Sequence, residues 1–208
     1  MWPDSSATDR LLQDAAGGNP AAASDLLEQH RAALRRMIAV RLDRGVARRI
    51  DASDVVQDVL LEASKRLADY LQDPRMPFHL WLRHLALDRM IDLHRRHHAQ
   101  RRDVGRERAL QAGSLSGKSS LDLAAQLQDQ ELTPAAAAIR KELAGRFLAA
   151  LDDMDEPDRE IILLRHVEQL GNSEAAEALG LAPAAAGMRY LRALRRLRTM
   201  LGEPPSAG

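Results

Sequence analysis

The stretch Ser173-Glu174-Ala175-Ala176-Glu177-Ala178-Leu179-Gly180-Leu181-Ala182-Pro183 decides how this chain is read. It begins as a capped helix, is cut at Gly180 and restarts at Pro183. Small Ala175 and Ala176 let another helix come close. Gly180 permits the left-handed backbone that a tight turn needs, and Pro183 suits the first turn of a helix. Together these features predict a helix-turn-helix, whose second helix lies in a major groove. That second helix, Pro183 to Leu201, carries Arg189, Arg192, Arg195, Arg196 and Arg198 and no acid. Arginine contacts phosphates or reads guanine edges. A helical hairpin with a solvated arginine face fits the same letters.

The rest of the chain is helical in character too. Its 208 residues allow one or two domains. Aromatic residues make up 3% of the sequence, too few for a sandwich or barrel of aromatic and β-branched strands. Abundant Ala, Leu and Arg suit helices. The absence of cysteine excludes disulfides and thiolate metal sites. No apolar run approaches the ~18 residues of a membrane span. The opening MWPDSSATDR lacks a basic stretch followed by an apolar core, so a cytoplasmic protein without membrane contact is expected.

Two helical blocks flank a linker. Thr8 to Ala16 reads as a short helix, broken by Gly17-Gly18-Asn19-Pro20. From Ala21 a longer helix recurs through Leu26, Leu27, His30, Leu34, Met37, Ile38 and Leu42, to be loosened at Gly45. Asp51 or Ser53 caps a third, with Val55, Val56, Val59, Leu60, Ala63 and Leu67 inward. Two prolines make Gln72 to Pro77 a loop. A fourth helix runs from about Phe78, with Phe78, Trp81, Leu82, Leu85, Met90 and Leu93 toward a core and a basic tail from His94 to Arg102. From Asp103 to Thr133 the Gly- and Ser-rich composition is that of a flexible linker, with a short amphipathic piece at Leu121 to Leu127. The second block holds an Ala-rich helix, Pro134 to Leu151, then one starting at Asp155-Glu156-Pro157-Asp158 and running through Ile161, Ile162, Leu164 and Val167. The helix-turn-helix follows. The expected divisions are 8–102, 103–133 and 134–201.

Two further patterns carry chemistry. Asp51, Asp54 and Asp58 share one helix face. Taken alone, that spacing favours a solvated face whose acids suit the helix dipole over a face that docks on a basic partner. The fourth helix pairs Phe78 and Trp81 with a basic end, His94-Arg95-Arg96-His97-His98 and Arg101-Arg102. Aromatics beside basic residues suit unpaired bases and phosphate; Phe78 and Trp81 as plain core is the other reading. His94 and His98, four apart near Asp92, have metal-ligand spacing, but the surrounding arginines repel a cation and no third ligand is placed, so no metal and no cofactor are expected. A stand-alone dimeric helix-turn-helix regulator would explain the arginine helix and leave the other two patterns unexplained.

In this order the motifs resemble a bacterial sigma-70 family RNA polymerase sigma factor of the extracytoplasmic-function group. Asp51-Ala52-Ser53-Asp54-Val55-Val56-Gln57-Asp58 resembles the family's D-x-x-D-x-x-Q helix. Phe78-His79-Leu80-Trp81-Leu82-Arg83-His84-Leu85-Ala86 resembles its F-x-x-W-L-x-x-I-A segment. Leu148 to Leu201 resembles the sigma-4 domain and closes with Arg189-Tyr190-Leu191-Arg192-Ala193, similar to R-x-x-R-A. The Ser-rich linker and Thr133-Pro134-Ala135-Ala136 resemble a planctomycete-type subgroup.

The resemblance implies an all-α protein of two helical domains, sigma-2-like and sigma-4-like, joined by the linker. It implies no enzymatic activity and no catalytic residue. Its partners would be core RNA polymerase, through the β′ clamp and the β flap, and promoter DNA, with control by an anti-sigma factor or a regulatory kinase. Asp51, Asp54, Gln57 and Asp58 would bind the polymerase. Trp81, Arg83, Asp88, Arg95 and Arg96 would meet the −10 element, and the Tyr70 to Pro77 loop would hold a flipped base. Ala185, Arg189, Arg192 and Arg196 would meet the −35 element. Two departures stand out. Asp88 replaces a common Asn, and an ionised Asp can only accept hydrogen bonds. The recognition helix opens Ala184-Ala185-Ala186-Gly187-Met188-Arg189 where the family commonly has G-T-V-K-S-R. Its Thr, Lys and Ser donors are missing, which leaves Arg189, Arg192 and backbone amides.

Lys plus Arg and Asp plus Glu each number 30, so the formal net charge is zero. The sum conceals segregation. Basic residues gather at His94–Arg108 and Arg189–Arg198, acidic ones at Asp51–Asp58 and Asp152–Glu160. Such a chain, free in solution, is expected to bind DNA weakly.

Overall fold

The computed structural model describes residues 2–42, 50–104 and 134–202, with side chains except at 97–104 and 134–141. Helices α1 (Ser5–Ala16), α2 (Pro20–Arg41), α3 (Ala52–Gln72) and α4 (Phe78–Val104) build one compact unit. Helices α5 (Pro134–Asp152), α6 (Glu156–Ile162), α7 (Asn172–Ala178) and α8 (Pro183–Met200) build a second, with a π-helical turn at Leu163–Val167. Among the described residues there is no strand. Gly45, the segment 105–133 with its piece Leu121 to Leu127, and the side chains of His97, His98, Arg101 and Arg102 lie outside what is described.

Local chemistry sets the helix ends of the first unit. The expected start at Thr8 moves back to Ser5, and the Thr8 hydroxyl donates to the Asp4 carbonyl at 3.0 Å. Asn19 caps α2: its side-chain oxygen accepts from the N–H groups of Ala21 at 3.0 Å and Ala22 at 3.4 Å, while Pro20 opens the helix. Of the two candidate caps for α3, Asp51 is the one used; it accepts from the Ser53 N–H at 2.6 Å. The apolar positions of α2, α3 and α4 meet in one core that includes Leu26, Leu34, Met37, Ile38, Val55, Val59, Ala63, Leu82 and Met90.

A cluster of rings closes one end of that core. Phe78 packs edge-on against His30 at 5.1 Å and against Tyr70 at 5.3 Å, and Trp81 lies 4.8 Å from Tyr70. Trp2 adds contacts to His30 at 6.0 Å and His79 at 5.7 Å. The Tyr70 hydroxyl donates to the Met76 carbonyl at 2.8 Å and so ties the Asp73–Pro77 loop to α3. His30 is 1% exposed and its Nδ1 bonds the Leu26 carbonyl at 2.8 Å. Burial pushes its imidazole down to about 4, against the pull of that bond.

The second unit differs from the expected continuous helix through Val167. Ile161, Ile162, Leu163 and Leu164 are all buried, four in a row. A regular α-helix buries a stripe, not every successive residue. The chain widens here into the π turn, and the following Gln169 adopts a left-handed φ of 57°. The cap of α7 also lies earlier than Ser173. It is Gly171, whose N–H donates to the Glu174 carboxylate at 2.6 Å. Gly180 takes φ 62° in the turn, and Leu181 N–H reaches back to the Ala176 carbonyl at 2.9 Å. Fully buried Ala175, Ala176, Ala186 and Ala193 set α7 and α8 close together.

Candidate partner and nucleic-acid interfaces

The acidic start of α3 exposes Asp51, Asp54, Gln57 and Asp58 while Val55, Val56 and Val59 turn inward. These four polar residues do not share one fate. Asp51 is occupied by its own helix end. The Ser53 N–H and hydroxyl hold its carboxyl below the usual range, with help from the Arg35 charge. Arg35 itself donates to the Ser53 hydroxyl at 3.1 Å. Asp58 is gripped by Arg89 of α4, with the Arg89 Nε 3.1 Å from its oxygen. Among the described residues no ion pair holds Asp54. Asp54 and Gln57 remain as the outward pair.

On α4, Trp81, Asp88 and Arg95 recur every seven residues and fall along one stripe. Asp88 and Arg95 are exposed, Trp81 is half-buried against Tyr70, and Arg96 lies exposed beside the stripe. Asp88 also lines a groove of 350 Å³ between α3 and α4, with Asp58, Leu61, Arg89 and Asp92. Arg83 is a correction. Expected at DNA, it is only 2% exposed and lies inside the unit, on the side of α4 away from that stripe. The Tyr70 to Pro77 loop is likewise anchored inward at Tyr70, which is 8% exposed.

In the second unit the turn is stapled. The Asn172 side chain donates to the Pro183 carbonyl at 2.9 Å, so the start of α7 holds the start of α8. On α8, Ala185 and Arg192 are exposed and Arg189 is half-buried. Arg196 points elsewhere: it pairs with Asp155 and lies 3.8 Å from Asp158, both at the start of α6. That ion pair links α8 to the start of α6 and leaves the Arg196 side chain about half exposed. Arg165 lies over the Tyr190 ring at 5.2 Å, and the Tyr190 hydroxyl sits 3.0 Å from His166 Nε2. Burial, then the Arg165 charge, lowers the His166 imidazole. Arg89 and Asn172 carry no signal in the sequence, and Asp155 and Asp158 read there only as an acidic helix start. Arg89 and Asp155 act across separations of 31 and 41 residues, for which no local spacing gives a signal. Among the described residues no cluster of His, Asp and Glu could hold a metal, and no helix is long and apolar enough to cross a membrane.

Two helical units, one ending in a stapled helix-turn-helix with an acid-free arginine helix, define an all-α protein of the nucleic-acid-binding class. The comparisons carry the assignment further. Residues 18–100 match the family described as Sigma-70 region 2, and residues 144–197 the family described as Sigma-70, region 4. The RNA polymerase sigma factor CnrH of Cupriavidus metallidurans is 34% identical over 93% of this chain and 94% of its own length. The ECF RNA polymerase sigma factor SigD of Mycobacterium bovis is 29% identical over 91% of this chain and 82% of its own. A solved structure of CnrH in complex with the cytosolic domain of CnrY superposes with TM-score 0.58 at 26% identity, over 94% of this chain and 97% of that one. The chain belongs to the extracytoplasmic-function group of the sigma-70 family of RNA polymerase sigma factors. It is a regulatory protein that binds core RNA polymerase and directs transcription initiation at promoters.

Proposed function

We propose a division of labour among the exposed residues of this sigma factor. Residues 8–102 act as the sigma-2 part, 103–133 as the connecting linker and 134–201 as the sigma-4 part. Asp54 and Gln57 dock on the β′ clamp, with Asp51 completing the face and Asp58 holding α3 to α4 through Arg89. The stripe Trp81, Asp88 and Arg95, with Arg96, faces the −10 element. Helix α8 enters the −35 major groove with Arg192 outward, Ala185 and Arg189 beside it, and the same unit meets the β flap. The relative CnrH is known in complex with the cytosolic domain of CnrY, and an anti-sigma factor is the controlling partner we assign here, in the cytoplasm where polymerase works.

One observation carries this reading. Within about two acidic turns, Asp51 and Asp58 are engaged by their own unit while Asp54 and Gln57 are left outward. Asp54 lies in the first turn, where it also favours the helix dipole, but the dipole gives no role to the exposed Gln57 one turn on. Asp54→Lys should lower copurification with core polymerase at least about tenfold, as loss of a charge pair at a docking face does, without changing helix content. Asp58→Asn should leave copurification within about twofold and lower thermal stability by less than about 1 kcal/mol, the range of an exposed pair. Undiminished copurification of Asp54→Lys would remove α3 from the clamp interface.

A further inference from the structure

The outward face of α8 is not an arginine face. Ala186, Ala193 and Leu197 are buried against the rest of the unit. Opposite them, Ala184, Met188, Leu191 and Arg195 follow one another at steps of four, three and four, which places them on one stripe. Met188 is 59% exposed and Leu191 47% exposed, while Ala184 is exposed as well. Met188 and Leu191 are neighbours on the stripe and are rimmed by arginines, an arrangement that suits a contact.

The surroundings of that stripe select its occupant. Helix α8 has no acidic residue, and Arg192, Arg195 and Arg198 stand exposed on or beside the stripe. This charge pattern matches a flanking pair of phosphate backbones. A major groove is wide enough to take a helix, and of the four bases only thymine presents an apolar group there, its C5-methyl. Ala184, Met188 and Leu191 offer no strong donor or acceptor. They can distinguish bases only by covering that methyl.

We propose that this sigma factor reads its −35 element through thymine methyl groups, covered by Ala184, Met188 and Leu191, while Arg192 and Arg195 hold the phosphates on either side. The inference rests on the assignment of α8 to the −35 groove and gives that assignment a chemical specificity. It accounts for the missing Thr, Lys and Ser donors as a change of code: hydrogen-bond readout gives way to apolar readout. The expected element is rich in T on one strand or the other at the positions under the stripe.

Holoenzyme assembled from the full chain and core polymerase tests this. Promoters randomised through the −35 region should yield, after selection by open-complex formation, T at two or more positions. Deoxyuridine differs from thymidine only by the methyl. Replacing T by deoxyuridine at those positions should lower open-complex formation about fourfold per covered methyl. The same replacement in the spacer should change nothing. Met188→Ala and Leu191→Ala should each bring the thymidine-to-deoxyuridine ratio toward one, since both side chains are exposed and their removal leaves the fold intact. Equal use of the two nucleotides, with Arg192→Ala still abolishing −35 dependence, overturns methyl reading and leaves α8 in the groove. Indifference to both Arg192→Ala and a scrambled −35 region shows instead that the groove assignment itself is wrong. Weaker binding of core polymerase by Met188→Ala, with an unchanged nucleotide ratio, makes the stripe a protein-docking face and overturns the proposal.

Discussion

The two units are both helical and both bury large aliphatic side chains, yet they differ at their joints. The first fills space with large side chains and rings: Leu26, Leu34, Met37, Ile38 and Leu82 are fully buried, and Phe78, Tyr70, Trp81 and Trp2 crowd around His30. The second also buries Leu151 and Ile161 through Leu164, but it joins α7 to α8 over alanines. Ala175, Ala176, Ala186 and Ala193 are its closest joints, and Asn172 bolts the turn. A core of large groups is sensitive to loss of volume and to burial of charge. A joint of small groups is sensitive to added volume. Each unit therefore has its own way of failing, and the failures can be separated because both tryptophans, Trp2 and Trp81, lie in the first unit.

The largest expected effect belongs to the first unit and to acid. His30 is neutral in the fold with its imidazole at about 4, against about 6.5 in an unfolded chain. Between those values only the unfolded chain takes up the proton. The stability is present in full above about pH 6.5 and is lost as pH falls, by up to about 3 kcal/mol near pH 4. The lowered Asp51 carboxyl adds a loss of the same sign further down. Tryptophan-detected denaturant midpoints should fall steadily over that window. His30→Phe should flatten the fall, since a ring remains between Trp2 and Phe78 without a proton to gain. A midpoint that stays level in the native chain from pH 6.5 to 4 would show that acid protonates some other state than the one described.

Added volume is the matching probe of the second unit. Ala176 is 1% exposed where α7 meets α8. Ala176→Leu should cost about 1–3 kcal/mol, the usual penalty of overpacking. Amide hydrogen exchange in α7 and α8 should accelerate, while the tryptophan transition of the first unit keeps its midpoint. Equal exchange in the variant would mean that the alanine joint has slack, and the contrast between the two cores would fail.

The same contrast explains what could be read from the letters. The helices of the first unit follow from period: Val55, Val56, Val59, Leu60, Ala63 and Leu67 recur at helical steps and are all buried. The helix-turn-helix follows from Gly180, Pro183 and the paired alanines, whose turn geometry is local. What stayed hidden depends on distant partners. A sequence shows Asp58 as one acid among three and Arg196 as one arginine among five. Only folding brings Arg89 to the first, and Asp155 and Asp158 to the second. Arg83 deceived for the complementary reason. It stands beside His84 in a motif that looks basic, yet the helix turns it inward. Charge type is written in the sequence; the direction a charge faces, and whether the protein's own fold already occupies it, is not.

The smallest effect sits at the one described non-glycine residue with positive φ. Gln169 takes φ 57° at the exit of the π turn, between buried Glu168 and buried Leu170. A side chain in this region costs about 1–2 kcal/mol. A glycine in its place would relieve that strain but would surrender about 0.5–1 kcal/mol of backbone entropy on folding. The balance still favours glycine. Gln169→Gly should stabilise the second unit by on the order of 0.5 kcal/mol, with no effect on the tryptophan transition. Exchange at Leu170 is the sensitive reporter, because its N–H is bonded to the Leu164 carbonyl at 2.9 Å across the π turn. Slower exchange there means that the π turn forces the left-handed residue on the chain. Faster exchange means that Gln169 itself holds the turn in place, and that the second unit, like the first, depends on a side chain at its joint.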